Sequence, residues 1–183
     1  MLIFLCLGKP IDSDRFIDMC AGEYQKMSAD MNTLAFDGFD TVIDISAIAH
    51  TSLHKKTSNE SKDICAYQNE LIVDRAGKPK FFGSALKFNL THTEGLTAAA
   101  MSRREVGIDA EKIRKIDFSK FKFLGDFKSE RDFFDAWTAK EAAIKLSGGG
   151  ISEIRKDLDL TSITVRKIPV GAEFSLSVAE YKV

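Results

Sequence analysis

At 183 residues, the chain has the length of one domain or of two small halves sharing a core. Hydrophobic residues make up 44% of it, enough for a real interior, and the formal net charge of -1 provides no global field for nucleic acid or an anionic membrane. Any phosphate site must therefore come from a local cluster of cations. Cys6, Cys20 and Cys65 are scattered, odd in number and form no C-x-x-C, which points to reduced thiols in the cytoplasm.

The opening MLIFLCLG is apolar but short, with no basic start and no small-residue cleavage site, so residues 2–7 are expected as a buried strand rather than a signal peptide. No run reaches the roughly 18 apolar residues of a membrane span. DSDRFIDMCAGEYQKM places Phe16, Met19, Cys20, Tyr24 and Met27 at helical spacing, with Asp12 or Ser13 as the cap. A turn at Asp37-Gly38 and a strand follow. HKKTSNESKD is a polar loop leading to a second helix with Ile64, Tyr67, Leu71 and Ile72 on its buried side, stopped by Gly77 and Pro79.

FNLTHTEGLTAAAMS and EVGIDAE are expected as short strands around a turn. Residues 112–130 are charged and irregular but carry Phe118, Phe121, Phe123 and Phe127. A strong helix runs from about Asp132 to Leu146 and ends at SGGG. The tail SITVRKIPVGAEFSLSVAEY is a hairpin, with Phe174, Leu176 and Val178 alternating and Gly171 near its turn. The order is strand, helix and strands, then strand, helix and strands again. It permits two related halves meeting near residues 95–105, without a long linker.

EVGIDAEKI carries the most pointed chemistry. Residues two apart on a strand share a face, so Asp109 and Glu111 stand about 6–7 Å apart at their Cα atoms, while Ile108 and Ala110 face the core. Such a pair can close around one hard divalent cation. Taken alone, D-x-E is more simply two surface acids on a solvated edge strand. The helix adds weight, because Trp137, Glu141 and Lys145 lie four residues apart and form one stripe. An ordinary i,i+4 Glu–Lys pair accounts for part of that stripe, but not for the aromatic on it. Lys78 in GKP, and Thr91 and His92 at a strand end, are further candidates whose plainer readings are solvation and structural support.

The ordered set GKP, FNLTHT, GIDAE and WTAKEAAIK resembles the motifs of the 4′-phosphopantetheinyl transferases, of the larger Sfp-like type. The resemblance covers roughly residues 71–151, with THT in place of the family's S-H-S and Ala110 where Ile is usual. It implies an α+β fold of two similar small α/β halves related by pseudo-twofold symmetry. Residues 1–100 would form the N-terminal half and 101–183 the C-terminal half carrying the metal site, with the active site at their junction. The implied activity moves the 4′-phosphopantetheine arm of coenzyme A onto a serine hydroxyl of an apo acyl or peptidyl carrier protein, releasing adenosine 3′,5′-bisphosphate. By motif position, Asp109, Glu111 and Glu141 hold Mg2+, and Glu141 and Lys145 are catalytic. Lys78, Thr91, His92, Lys140 and Lys145 meet coenzyme A, Lys78 near its 3′-phosphate. The phenylalanines and lysines of residues 112–130 suit, as a segment, an acidic carrier with an apolar patch, although core filling is the better account of any single ring. The partners expected are the carrier and coenzyme A, with no nucleic acid and no membrane, for a monomer in the cytoplasm.

Two rivals stand beside this. A metal-dependent nuclease wants E-x-K after its Asp, whereas Lys112 follows Glu111 directly and is thrown to the other strand face. The second rival is a non-catalytic relative that binds coenzyme A or a carrier protein and kept the fold.

Overall fold

The computed structural model describes residues 1–8, 11–31, 41–44, 71–73 and 78–182, with side chains described outside 25–31 and 41–44. The expected turn at Asp37-Gly38, the polar loop, and Ile64 and Tyr67 of the expected second helix lie outside these residues, as does Cys65. Three sheets are present among the described residues. The first has strand order β2-β1-β6-β5, from β1 (Leu2–Leu7), β2 (Thr41–Asp44), β5 (Lys87–Thr93) and β6 (Leu96–Ser102). β3 (Leu71–Val73) and β4 (Pro79–Phe81) form a pair of their own. The last sheet, β7-β9-β8, comprises β7 (Val106–Lys112), β8 (Ile163–Lys167) and β9 (Phe174–Tyr181).

β1 is apolar throughout because both of its faces are covered. Leu2, Phe4 and Cys6 pack on Phe16, Ile17 and Cys20 of helix α1 (Ser13–Met31). Ile3 and Leu5 pack the other way, with Ala98 and Ala100 of β6, onto Ile108 and Ala110 of β7 and Leu176 and Val178 of β9. Phe4, Phe16 and Phe88 are fully buried, each contributing about 1.5–3 kcal/mol relative to exposure. Asp12 is the cap of α1, its Oδ1 accepting the Arg15 N–H at 3.1 Å.

Helix α2 (Glu130–Leu146) starts two residues earlier than its periodicity indicates. Ser129 caps it, with Oγ accepting the Asp132 N–H at 3.1 Å, and Glu130 and Asp132 complement the helix dipole. α2 lies on the third sheet, with Ala142, Ala143 and Leu146 against Ala179. The tail forms the expected hairpin of β8 and β9.

Leu71 and Ile72 do not lie on a helix. They belong to β3, paired with Phe81 and Lys80, and Pro79 opens β4 rather than ending a helix. A short apolar run with two β-branched residues fits either element, and pairing decides. Proline is tolerated there because it is the first residue of its strand.

The two larger sheets meet at their edges. On β5, Asn89 Oδ1, Thr91 Oγ1 and Thr93 Oγ1 accept the N–H groups of Ile108, Ala110 and Lys112 on β7, each at 3.2 Å. Alternate N–H groups of a strand point to the same side, so side chains two apart on β5 satisfy a β7 edge that has no backbone partner there among the described residues.

Candidate active site

Strand alternation sorts β7 cleanly. Val106, Ile108 and Ala110 enter the core between the sheets, leaving Gly107, Asp109 and Glu111 on the face toward α2. The absence of a side chain at Gly107 sets the spacing. A Cβ there would stand 2.0 Å from the Ala142 carbonyl oxygen and 2.6 Å from the Leu146 nitrogen. This close approach brings Glu141 and Lys145 of α2 over the strand acids.

Asp109 is almost fully buried, at 4% exposure. Its Oδ1 accepts from Lys145 Nζ at 2.6 Å and from Thr91 Oγ1 at 3.2 Å. Its Oδ2 is buried without a hydrogen-bond partner among the described residues. Burial raises the Asp109 pKa, with Lys145 opposing and the charge of Glu111 adding to the rise. Glu141 is pushed up to about 7, first by burial and then by the charge of Asp109; Lys145 again opposes and Glu111 adds. The three carboxylates therefore share one electrostatic neighbourhood. Glu111 is held separately, its Oε2 accepting from the Arg114 guanidinium at 2.9 Å.

Among the described residues, no three His, Cys, Asp or Glu side chains are grouped closely enough to hold a metal ion as they are arranged here. Lys145 and Arg114 instead occupy one oxygen of each strand acid. The donor set nevertheless fits a hard cation. An orphaned, buried carboxylate oxygen lies close to two further acids, and such a group costs free energy unless something positive meets it.

Beside the pair opens a cleft of about 200 Å³ lined by Lys78, Pro79, Asn89, Leu90, Lys145, Gly148 and Gly149. Lys78 is anchored at its rim, donating to Glu105 Oε2 at 3.0 Å. The other candidates are placed differently. Thr91 is buried, and its hydroxyl both donates to Asp109 and accepts from the Ala110 N–H. His92 alternates with it and is exposed. Lys140 is half-buried, with Nζ 5.9 Å from the centre of the Phe123 ring. Lys112 pairs with Glu94 at 2.8 Å, away from the acids, as strand alternation requires.

Residues 118–124 form a short 3₁₀ segment. Phe118, Phe121 and Phe127 pack around Phe133 at ring distances of 6.3, 5.1 and 5.3 Å. Trp137 meets Phe121 edge-on at 5.6 Å. Three of the four rings thus cover α2, while Phe123 is exposed with Lys140 and Arg155 over its ring. Sequence reasoning missed Gly107, Asn89 and Arg114 as parts of the site. The glycine in G-x-D was a usable signal, since glycine on a strand marks close backbone approach.

Clustered acids and a lysine beside a cleft with a second cation at its rim define a site suited to a phosphate-bearing ligand. Residues 105–177 match the model of the 4′-phosphopantetheinyl transferase superfamily. The chain is 30% identical over 129 residues to the 4′-phosphopantetheinyl transferase HetI of Nostoc sp., a match covering 60% of this chain and 54% of that protein. It is 36% identical over 91 residues to the 4′-phosphopantetheinyl transferase psf-1 of Bacillus pumilus, covering 43% of this chain and 37% of the relative. To the 4′-phosphopantetheinyl transferase gsp of Aneurinibacillus migulanus it is 34% identical over 101 residues, 45% of this chain and 41% of the relative. The chain thus spans about half the length, or less, of the curated relatives it matches.

Proposed function

We propose that the protein transfers 4′-phosphopantetheine from coenzyme A to a serine hydroxyl of an apo acyl or peptidyl carrier protein and releases adenosine 3′,5′-bisphosphate. The observation that carries this reading is the buried, unpartnered Asp109 Oδ2 in one neighbourhood with Glu111, Glu141 and Lys145, within the segment matching the superfamily.

Asp109, Glu111 and Glu141 are the residues that would hold Mg2+, which when bound supplies Lewis-acid stabilisation of the diphosphate. The chain's own groups do the rest. Lys145 and Lys78 line the cleft and would meet the coenzyme A phosphates, Lys145 offsetting charge on the departing bisphosphate. Glu141 is also the residue that would accept the carrier serine's proton. His92 lies on the same side of β5 as Leu90, which lines the cleft, and would add a polar contact. Lys140 is assigned a weaker phosphate contact, and Thr91 acts through Asp109, which its hydroxyl holds. The exposed Phe123, flanked by exposed Lys120 and Lys122, suits an acidic carrier with an apolar patch.

The pseudo-twofold reading, with halves 1–100 and 101–183, draws support from topology. β1 and β7 are each followed by a helix. Each then pairs antiparallel with the second strand of a later hairpin, β6 and β9 respectively. Candidate residues that all come from one chain suit a monomer. No helix among the described residues is long and apolar enough to cross a membrane, and a cytoplasmic location is part of the same proposal. One observation favours a non-catalytic binding relative instead, namely that both strand acids already carry cationic partners.

Mass spectrometry of several apo carriers, incubated with the protein, coenzyme A and Mg2+, tests the reading. The expected result is addition of the phosphopantetheine arm to a serine of at least one carrier. Coenzyme A binding by calorimetry with no arm on any carrier would replace transfer by the binding reading.

A further inference from the structure

The two strand acids are presented in the same manner. Asp109 has Oδ1 engaged by Lys145 and Thr91, while Oδ2 is buried with no hydrogen-bond donor on it among the described residues. On Glu111, Oε2 is the oxygen engaged, by Arg114. Arg114 is 55% exposed, but Glu111 is not its only partner. The nitrogen that binds Glu111 also donates to the Lys112 carbonyl at 3.0 Å. The guanidinium carbon lies 4.9 Å from the centre of the Phe134 ring, a buried residue of α2. Carboxylate, carbonyl and ring hold it at three points, which a point charge on a flexible stem cannot reproduce.

We propose that Arg114 is a positioning residue that clamps Oε2 of Glu111, so that Glu111 offers a divalent cation one oxygen rather than two. The consequence is selectivity. Mg2+ requires near-octahedral coordination by single oxygens, whereas the larger Ca2+ accepts a bidentate carboxylate. With Oδ1 of Asp109 and Oε2 of Glu111 both engaged by side chains, the strand presents single oxygens that suit the smaller ion. This rests on the metal-site reading above and adds to it a residue outside the three acids.

The test is calorimetric titration of the purified chain with MgCl2 and, separately, CaCl2, without coenzyme A, on wild type, Arg114→Ala and Arg114→Lys. Wild type is expected to bind Mg2+ in preference to Ca2+. Arg114→Ala should weaken Mg2+ binding about tenfold while Ca2+ binding is kept or tightened, and Arg114→Lys should restore only part of the preference. A loss of general stability would not invert the ratio of the two affinities, so the ratio separates positioning from a structural role. An unchanged ratio in Arg114→Ala, with wild type binding Mg2+, overturns the clamp alone. No binding of either ion by wild type overturns the metal-site reading and the clamp with it.

Discussion

Gly107 of β7 lies against the backbone of Ala142 on α2, so closely that a methyl group on it would stand 2.0 Å from the Ala142 carbonyl oxygen. The obstacle is helix backbone, which cannot rotate aside. Gly107→Ala should therefore lift α2 from the sheet and move Glu141 and Lys145 away from Asp109. The expected cost is about 3 kcal/mol or more, read by urea denaturation. Transfer activity should fall further than the lost folded fraction explains.

Lys145 neutralises a buried charge through its 2.6 Å contact with Asp109. Lys145→Met keeps the stem and removes the ammonium. We expect a loss of about 2 kcal/mol near neutral pH, at the low end for a broken buried pair because the Lys145 side chain is partly solvated. The loss should shrink in acid, where Asp109 protonates. Equal destabilisation at all pH values would show that packing, not charge, is what Lys145 provides.

Glu141 has a folded pKa of about 7, raised from 4.5 mainly by burial. The fold therefore binds its proton more tightly than the unfolded chain does. That contribution is fully present below 4.5 and is lost as the pH rises toward 7. Glu141→Gln imitates the protonated form. In metal-free buffer it should match wild type near pH 4.5 and gain on it up to about pH 7, with a constant advantage above. Added Mg2+ should raise the melting temperature of wild type more than that of the variant. An acid-side advantage for the variant would contradict the sign.

Thr91 joins the two sheets and holds Asp109 at once, accepting from the Ala110 N–H and donating to Asp109 Oδ1. Thr91→Val leaves that N–H without its partner and should cost about 1–3 kcal/mol. Thr91→Ser keeps the hydroxyl and should retain most of the stability. Amide hydrogen exchange at Ala110 should speed up in Thr91→Val and stay near wild type in Thr91→Ser.

In the aromatic segment, rings next to one another in sequence have different fates. Phe133 is buried and meets Phe118, Phe121, Phe127 and Trp137, so Phe133→Ala should cost about 3–5 kcal/mol. Trp137→Ala should likewise act mainly through packing. Phe123→Ala should leave the melting temperature nearly unchanged but raise KM for the carrier protein. An unchanged KM would remove Phe123 from the docking surface.

Local patterns in the sequence were enough to specify α2, the alternation of β7 and β9, and the sharing of a face by Asp109 and Glu111. Periodicity and capping act within a few residues, so they can be read along the chain. The fate of Leu71 and Ile72 was not open to that reading, because a three-residue apolar run takes its form from its partner strand. Tertiary structure alone decided that Gly107 lets α2 descend onto β7, that Thr91 turns inward to Asp109, and that Lys145 and Arg114 each take one oxygen of a strand acid. Apart from Arg114 and Glu111, these partners lie 18 or more positions apart. Their meeting depends on how two sheets and a helix pack, and the resulting burial, which no local pattern encodes, pushes Glu141 up to about 7.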